Sequence, residues 1–245
     1  MLHWLDGGHL SSVELNRWAA ALTLALIACS ASTIVLADPP AARLTAGAVK
    51  PSWAVDRHLR WVLEWRDNES KAFGILDKRD ARLWLFDAQG NGVATTPVLL
   101  GSARGDASVP GIGERALQDV RPHERTTPAG RFVLEAGFNT LGEDVLWIDY
   151  EAAVSMHRVR ATKPAERRLE RLATPTAADN RISYGCVNVP SSFFDLRVKP
   201  HFRGHRGVMY VLPESLPATR LFTPTVFRTV RDERDLELTA LTQRK

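Results

Sequence analysis

Apolar and polar positions along the chain fall into stretches of different period. From Trp18 to Ala37 twenty residues pass without a charge, between Arg17 and Asp38. At about 1.5 Å per residue, a helix of that length reaches roughly across the ~30 Å hydrocarbon layer of a bilayer. The run is rich in Ala, Ser and Thr, and Val35-Leu36-Ala37 sets small or β-branched residues before Asp38, as a leader-peptidase site requires. Residues 1–37 are therefore expected to be a signal peptide or a membrane anchor, an internal buried helix being the plainer alternative. Leu26-Ile27-Ala28-Cys29 also has the form of a bacterial lipobox, although apolar sequence continues past it.

Residues 38–67 read as a Pro/Ala-rich linker followed by a helix. Val55, Leu59, Val62 and Trp65 recur near helical spacing among Asp56, Arg57, Arg60, Glu64 and Arg66, which predicts an amphipathic helix of about three turns. From Ala72 the pattern becomes alternating or briefly all-apolar. Ala72 to Asp77, Ala81 to Asp87 and Val93 to Leu100 are predicted strands of a β-meander, turning at Asp77-Lys78-Arg79-Asp80 and Gln89-Gly90-Asn91-Gly92. Gly101 to Gly130 has no sustained period and is expected to be an extended surface segment, with its Gly-rich stretch at Gly111 to Ala116 a mobile loop over a groove. Strands are predicted again at Arg131 to Ala136, Val145 to Tyr150, Val154 to His157 and Val208 to Leu212, and Ile182 to Val189 reads as a strand or a turn. Helices are predicted from Pro164 to Leu172, where Pro occupies the first turn ahead of strong helix formers, and from Ser191 to Val198. After Pro213 the period weakens into a C-terminal extension, with Phe222, Val226 and Phe227 left to pack on the body. The pattern is mainly β with a few short helices.

Composition narrows the class. Hydrophobic residues at 44% and charged residues at 24% exclude collagen-like, disordered and multi-spanning membrane chains. Thirty-two basic against 28 acidic residues give a charge of +4, and without residues 1–37 the balance is 31 against 26, or +5. These charges are interspersed with no recognisable module around them, so no nucleic-acid partner is expected. Cys29 and Cys186 are the only cysteines. Two thiols exclude both a disulfide scaffold and a four-thiolate zinc site, and no metal site or cofactor is expected.

Cys186 lies in Ser183-Tyr184-Gly185-Cys186-Val187-Asn188. A solitary cysteine is ordinarily a small buried hydrophobe. Gly185 beside it permits a close backbone approach, and N–H groups around such a turn can hold a developing oxyanion. A thiol nucleophile needs a base and the base an orienting partner. His157, at the end of the strand Ala152-Ala153-Val154-Ser155-Met156-His157, is the leading candidate; His123, His201 and His205 lie in polar, loop-like sequence.

Taken together, these motifs resemble the L,D-transpeptidases of the YkuD type, which carry a histidine followed downstream by Ser/Thr-His-Gly-Cys-x-Asn or -Arg. Thr127-Pro128-Ala129-Gly130-Arg131-Phe132 similarly matches the Thr-Pro-x-Gly-x-Phe stretch ahead of that family's catalytic half. The resemblance covers about residues 72–213 and implies a YkuD-like β-sandwich or barrel-type catalytic domain over residues 68–213. It makes Cys186 the nucleophile and His157 the general base. The carbonyl of Arg158 would orient the imidazole, and Gly185 with the Cys186 N–H would form the oxyanion hole. Ser183 and Asn188 would support the turn and, with Tyr184, face the substrate. Two departures stand out: Tyr184 replaces the family's histidine, and 25 residues separate His157 from Ser183, with the Pro164 to Leu172 helix inserted between them.

The implied reaction is acyl transfer in the periplasm. The thiolate attacks the carbonyl before a terminal D-amino acid of a peptidoglycan stem peptide, expels D-alanine and holds the peptide as a thioester, which an amine of a second stem resolves into a cross-link. Water in place of the amine gives a carboxypeptidase, and a module that kept the fold without activity gives a wall-binding protein. Arg125 and Arg181, near the two motifs, are candidate contacts for the anionic stem. Arg167, Arg168 and Arg171 read first as a solvated helix face. Gly111-Ile112-Gly113-Glu114-Arg115-Ala116 fits a relaxed dinucleotide fingerprint but lacks the strand leading into it.

Overall fold

The computed structural model describes residues 49–204 and 206–222. The export segment with Cys29, most of the linker, and Val226 and Phe227 lie outside the described residues. Among the described residues no helix is long and apolar enough to cross a membrane.

The predicted helix is α1 (Trp53–Trp65), and its start is tied down twice by one side chain. Ser52 caps it, accepting from the Val55 N–H at 3.2 Å and donating to Asp77 Oδ2 at 2.6 Å. Arg66, left-handed at φ 48, ends it. The buried stripe is Val55, His58 and Val62, whereas Trp65 at the predicted apolar edge is exposed.

Eleven strands follow among the described residues: β1 (Phe73–Asp77), β2 (Arg82–Phe86), β3 (Gly92–Pro97), β4 (Leu100–Gly101), β5 (Gly130–Val133), β6 (Glu135–Phe138), β7 (Asp144–Asp149), β8 (Val154–Arg158), β9 (Arg181–Ser183), β10 (Val187–Val189) and β11 (Val208–Val211). A five-stranded sheet has the order β3-β2-β1-β11-β5, a four-stranded sheet the order β10-β8-β7-β6, and β4 pairs with β9. The meander is as predicted. Asp77 Oδ1 closes its first turn on the N–H groups of Arg79 and Asp80, and Asp87 closes the second on those of Gln89 and Asn91. What local sequence does not show is that β1 takes β11 as a parallel neighbour on its other edge.

The five-stranded sheet is covered on both faces, which explains its unbroken apolar strands. Leu76, Leu83, Leu85, Met209 and Val211 face the four-stranded sheet and share a core with Val154, Met156, Val187 and Val189. The alternate residues Phe73, Ile75, Trp84, Phe86, Val208 and Tyr210 pack under α1 with Val55, Val62 and Phe222. Each such large side chain contributes about 1.5–3 kcal/mol by leaving water. A domain start at residue 68 therefore leaves out α1, on which this second core depends.

Three predicted elements differ. The strand at 131–136 divides into β5 and β6 around buried Leu134, so one run serves two sheets. The helix from Pro164 to Leu172 is a single turn, Pro164–Glu166, then Arg167 in left-handed backbone at φ 48, then α2 (Arg168–Ala173). The predicted helix after Pro190 runs longer than expected, as α3 (Ser191–Phe193), a π-helical turn (Phe194–Val198) and α4 (Lys199–Phe202).

The segment between β4 and β5 is largely exposed from Ala107 to Arg125, as expected of a surface segment, but both of its ends are fastened to the body. Lys78, fully buried, donates from Nζ to the Gly105 carbonyl at 2.5 Å, Asp106 Oδ1 at 2.8 Å and the Thr127 carbonyl at 2.9 Å. Asp106 in turn accepts from the N–H groups of Glu214, Ser215 and Leu216. A buried ammonium is tolerated because each of its protons has an acceptor.

Candidate active site

The site is built by strand pairing. β10 runs parallel to β8, with Val187 beside Met156 and Asn188 beside His157. Side chains alternate across a sheet, so Val154, Met156, Val187 and Val189 enter the core while Ser155, His157 and Asn188 point the other way. Cys186 leads into β10 on that same side, with Sγ 3.8 Å from Ser155 Oγ and 3.7 Å from the Ala153 carbonyl. The thiol is half-buried, and the Asn188 side chain is completely buried.

His157 Nδ1–H donates to the Arg158 carbonyl at 2.7 Å, leaving Nε2 for the site. This is the orienting contact expected of Arg158; its guanidinium is engaged elsewhere, with Asp144 at 2.8 Å and with Asp195. Asn188 Nδ2–H donates to His157 Nε2 at 3.2 Å. Burial works to lower the His157 pKa, but the influence of the neighbouring Cys186 thiol and the Arg158 carbonyl outweighs it, so the imidazole is held above its ordinary range. Burial works to raise the Cys186 pKa, and there the influence of the neighbouring His157, followed by the backbone and hydroxyl of Ser155, holds the thiol below the usual range. Such a pair can generate a thiolate and return the proton to a leaving group.

The turn carrying Cys186 is locked from several sides. Gly185 sits at φ +134, and a Cβ there would lie 2.8 Å from the Thr126 carbonyl oxygen, so only glycine fits. Ser183 Oγ donates to the Cys186 carbonyl at 2.6 Å and accepts from the Gly185 N–H at 3.1 Å. Thr127, from the Thr-Pro-Ala-Gly stretch, accepts from the Gly101 N–H at 2.9 Å and donates to the Gly185 carbonyl at 2.7 Å. The threonine of the upstream motif thus fastens the turn of the downstream one.

Several expected roles change. The Gly185 N–H, assigned to the oxyanion hole, is engaged by Ser183, whereas the Cys186 N–H has no protein partner among the described residues. Ser183 and Asn188 are buried supports of the turn and of His157, with no face open to substrate. Arg181, expected to meet an anionic ligand, is buried on Glu214 at 2.8 Å and on the Lys78 carbonyl at 2.7 Å. Tyr184 remains half-exposed, its ring 3.9 Å under the Arg125 guanidinium, which also donates to the Val120 carbonyl at 3.0 Å. Residues that sequence reasoning passed over are Ser155, visible as the polar member of the alternation before His157, and Arg168, whose Nη1 donates to Asn188 Oδ1 at 2.6 Å.

A cleft of about 300 Å³ opens beside His157, lined by Glu143, Asp144, Arg158, Val159, Arg160 and Ser191. A separate aromatic cleft of about 240 Å³, between α1 and the exit of β11 and including Trp53, His58, Trp61 and Phe222, contains none of the site residues.

Neither a protein-family model nor a curated protein sequence matches this chain. Solved structures similar to it include L,D-transpeptidase domains and a cell-shape protein. They include the catalytic domain of the Enterococcus faecium L,D-transpeptidase, at 16% identity and TM-score 0.34 over 58% of this chain and 98% of that one. An L,D-transpeptidase from Mycobacterium tuberculosis overlaps at 13% identity and TM-score 0.35, over 58% of this chain and 57% of that one. The helical cell shape determining protein Pgp2 of Campylobacter jejuni overlaps at 12% identity and TM-score 0.38, over 68% of this chain and 58% of that one.

Proposed function

We propose that the chain is an exported cysteine L,D-transpeptidase acting on peptidoglycan stem peptides. The observation that carries this reading is the placement of His157 on β8 and of Cys186 at the entry to its parallel neighbour β10, on the same face, with the imidazole oriented by the Arg158 carbonyl. In the proposed first step, His157 Nε2 takes the thiol proton as Sγ attacks the carbonyl ahead of the terminal D-alanine. The oxyanion forms against the Cys186 N–H. Collapse breaks the C–N bond, the imidazolium returns the proton to the departing D-alanine amine, and the peptide remains as a thioester on Cys186. An amine of a second stem then attacks the thioester carbonyl and gives its surplus proton to His157; the C–S bond breaks as the amide forms, and the imidazolium returns the proton to the departing Cys186 sulfur. The chemistry draws on no cofactor. Residues 1–37 serve export to the periplasm as a leader or an anchor.

The test is intact-mass spectrometry of the purified protein with a stem tetrapeptide and, separately, a carbapenem. An adduct on Cys186, together with a cross-linked dimer of stems, supports the reading. Trimmed stems without dimers would assign water as the acceptor. Full turnover by a folded Cys186→Ala variant would refute the mechanism.

A further inference from the structure

The segment inserted between β8 and β9 reaches the thiol site through one side chain. Arg171 fastens the insertion to itself, donating from Nε to the Glu166 carbonyl and from Nη1 to the Asp179 carbonyl, each at 2.8 Å. The first residue of α2, Arg168, is thereby presented to β10. Its Nη1 donates to Asn188 Oδ1 at 2.6 Å, its Nε to Glu166 Oε2 at 2.5 Å, and its side chain is only 14% exposed. The backbone of Asn188 is held by Leu99, to which it both donates and from which it accepts at 2.9 Å. This asparagine can therefore do little except rotate its amide.

A primary amide has one accepting end and one donating end. With a guanidinium on Oδ1, the donating end faces His157, and Nε2 must meet it with a lone pair. The proton of the neutral ring then sits on Nδ1, where the Arg158 carbonyl accepts it. Protonation at Nε2 would set two N–H groups against each other. Rotating the amide would relieve that contact only by turning its N–H groups toward Arg168.

We propose that Arg168 is a positioning residue that acts through Asn188 to bias His157 toward its neutral, Nδ1-protonated form, against the pull of Cys186, and so sets the pH range over which the thiol is activated. The proposal rests on reading Cys186 and His157 as the reacting pair. Cys186 draws the imidazole toward its cation; Arg168 opposes it, both through the amide and as a like charge. The other charged groups around the ring are paired: Arg158 with Asp144 and Asp195, Arg160 with Glu143 at 3.6 Å, Lys199 with Asp144, and Glu166 with Arg168 itself. The insertion thus carries a part of the site's proton chemistry.

The experiment follows the His157 ring by nitrogen NMR and the Cys186 thiolate by ultraviolet absorbance and by iodoacetamide alkylation across pH. It compares the full chain with Arg168→Met, Asn188→Asp and His157→Ala. In the unsubstituted protein the neutral ring is expected to carry its proton on Nδ1, and a proton on Nε2 would overturn the proposal without any variant. In Arg168→Met the deprotonation of His157 moves to higher pH by about one unit, the thiolate fraction at neutral pH rising with it. Asn188→Asp, whose carboxylate can accept from Nε2–H, moves it further in the same direction. Native-like circular dichroism with no movement in either variant overturns the role of Arg168 and leaves the pair standing. An alkylation profile identical to that of His157→Ala overturns the pair, and the proposal with it.

Discussion

Replacing Thr127 by Val removes a hydroxyl and almost no volume, and two buried groups lose their partner at once. Thr127 is 1% exposed, and its oxygen bridges the Gly101 N–H at 2.9 Å and the Gly185 carbonyl at 2.7 Å. A buried polar group left unpaired costs about 1–3 kcal/mol, so the two together predict a loss of roughly 2–6 kcal/mol. That is a large part of the roughly 5–15 kcal/mol by which a domain is stable. With a urea dependence of about 2 kcal/mol per molar, the unfolding midpoint should fall by about 1–3 M. Thr127→Ser keeps both bonds and loses one methyl, about 0.8 kcal/mol. Because Gly185 precedes the thiol, the valine variant should also alkylate at Cys186 with an altered rate when still folded. Urea titrations of both variants check this. A valine protein as stable as the serine protein would refute the argument that this hydroxyl fastens the turn.

Gly185→Ala meets both a left-handed backbone at φ +134 and the Thr126 carbonyl oxygen 2.8 Å from the new Cβ. Strain of about 1–3 kcal/mol is expected, with a displaced thiol and acylation slowed on the order of 100-fold, measured as the rate of carbapenem adduct formation. The buried His58 predicts a pH dependence of stability. Burial lowers its pKa from the ordinary 6.5 to about 3, so below pH 6.5 the unfolded chain binds a proton that the folded chain does not. Stability should therefore be intact above pH 6.5 and fall as the pH drops through it, by about 2 kcal/mol at pH 5, at about 1.4 kcal/mol per pH unit. His58→Leu should flatten that slope in urea titrations at several pH values; an unchanged slope would remove His58 as its source.

Elements whose signal is local were readable from the chain. The meander follows from alternation and from Asp77 and Asp87, which close their turns on neighbours at most four residues away. The apolar runs of β2 and β11 read as buried strands because both faces of their sheet are covered. The site was partly legible in the same way, since Val154-Ser155-Met156-His157 and Cys186-Val187-Asn188-Val189 alternate core and site residues. The helix from Pro164 was misjudged because its residues favour a helix locally, while Arg167 takes a left-handed turn and Arg171 ties the segment to Asp179.

By itself the sequence determined the mainly β class, the strand carrying His157, the glycine required before the thiol and the threonine motif that belongs with it. Each depends on side-chain period or backbone permissiveness, which neighbouring residues specify. Only the tertiary structure decided that β10 lies parallel beside β8, that Arg181 is buried against Glu214, and that Arg168 reaches Asn188. Those pairings join residues 20 or more positions apart, and an arginine in the chain carries no mark of which distant carboxylate or amide will meet its guanidinium. Charge and donor number are written in the residue, whereas the partner is chosen by how the sheets pack.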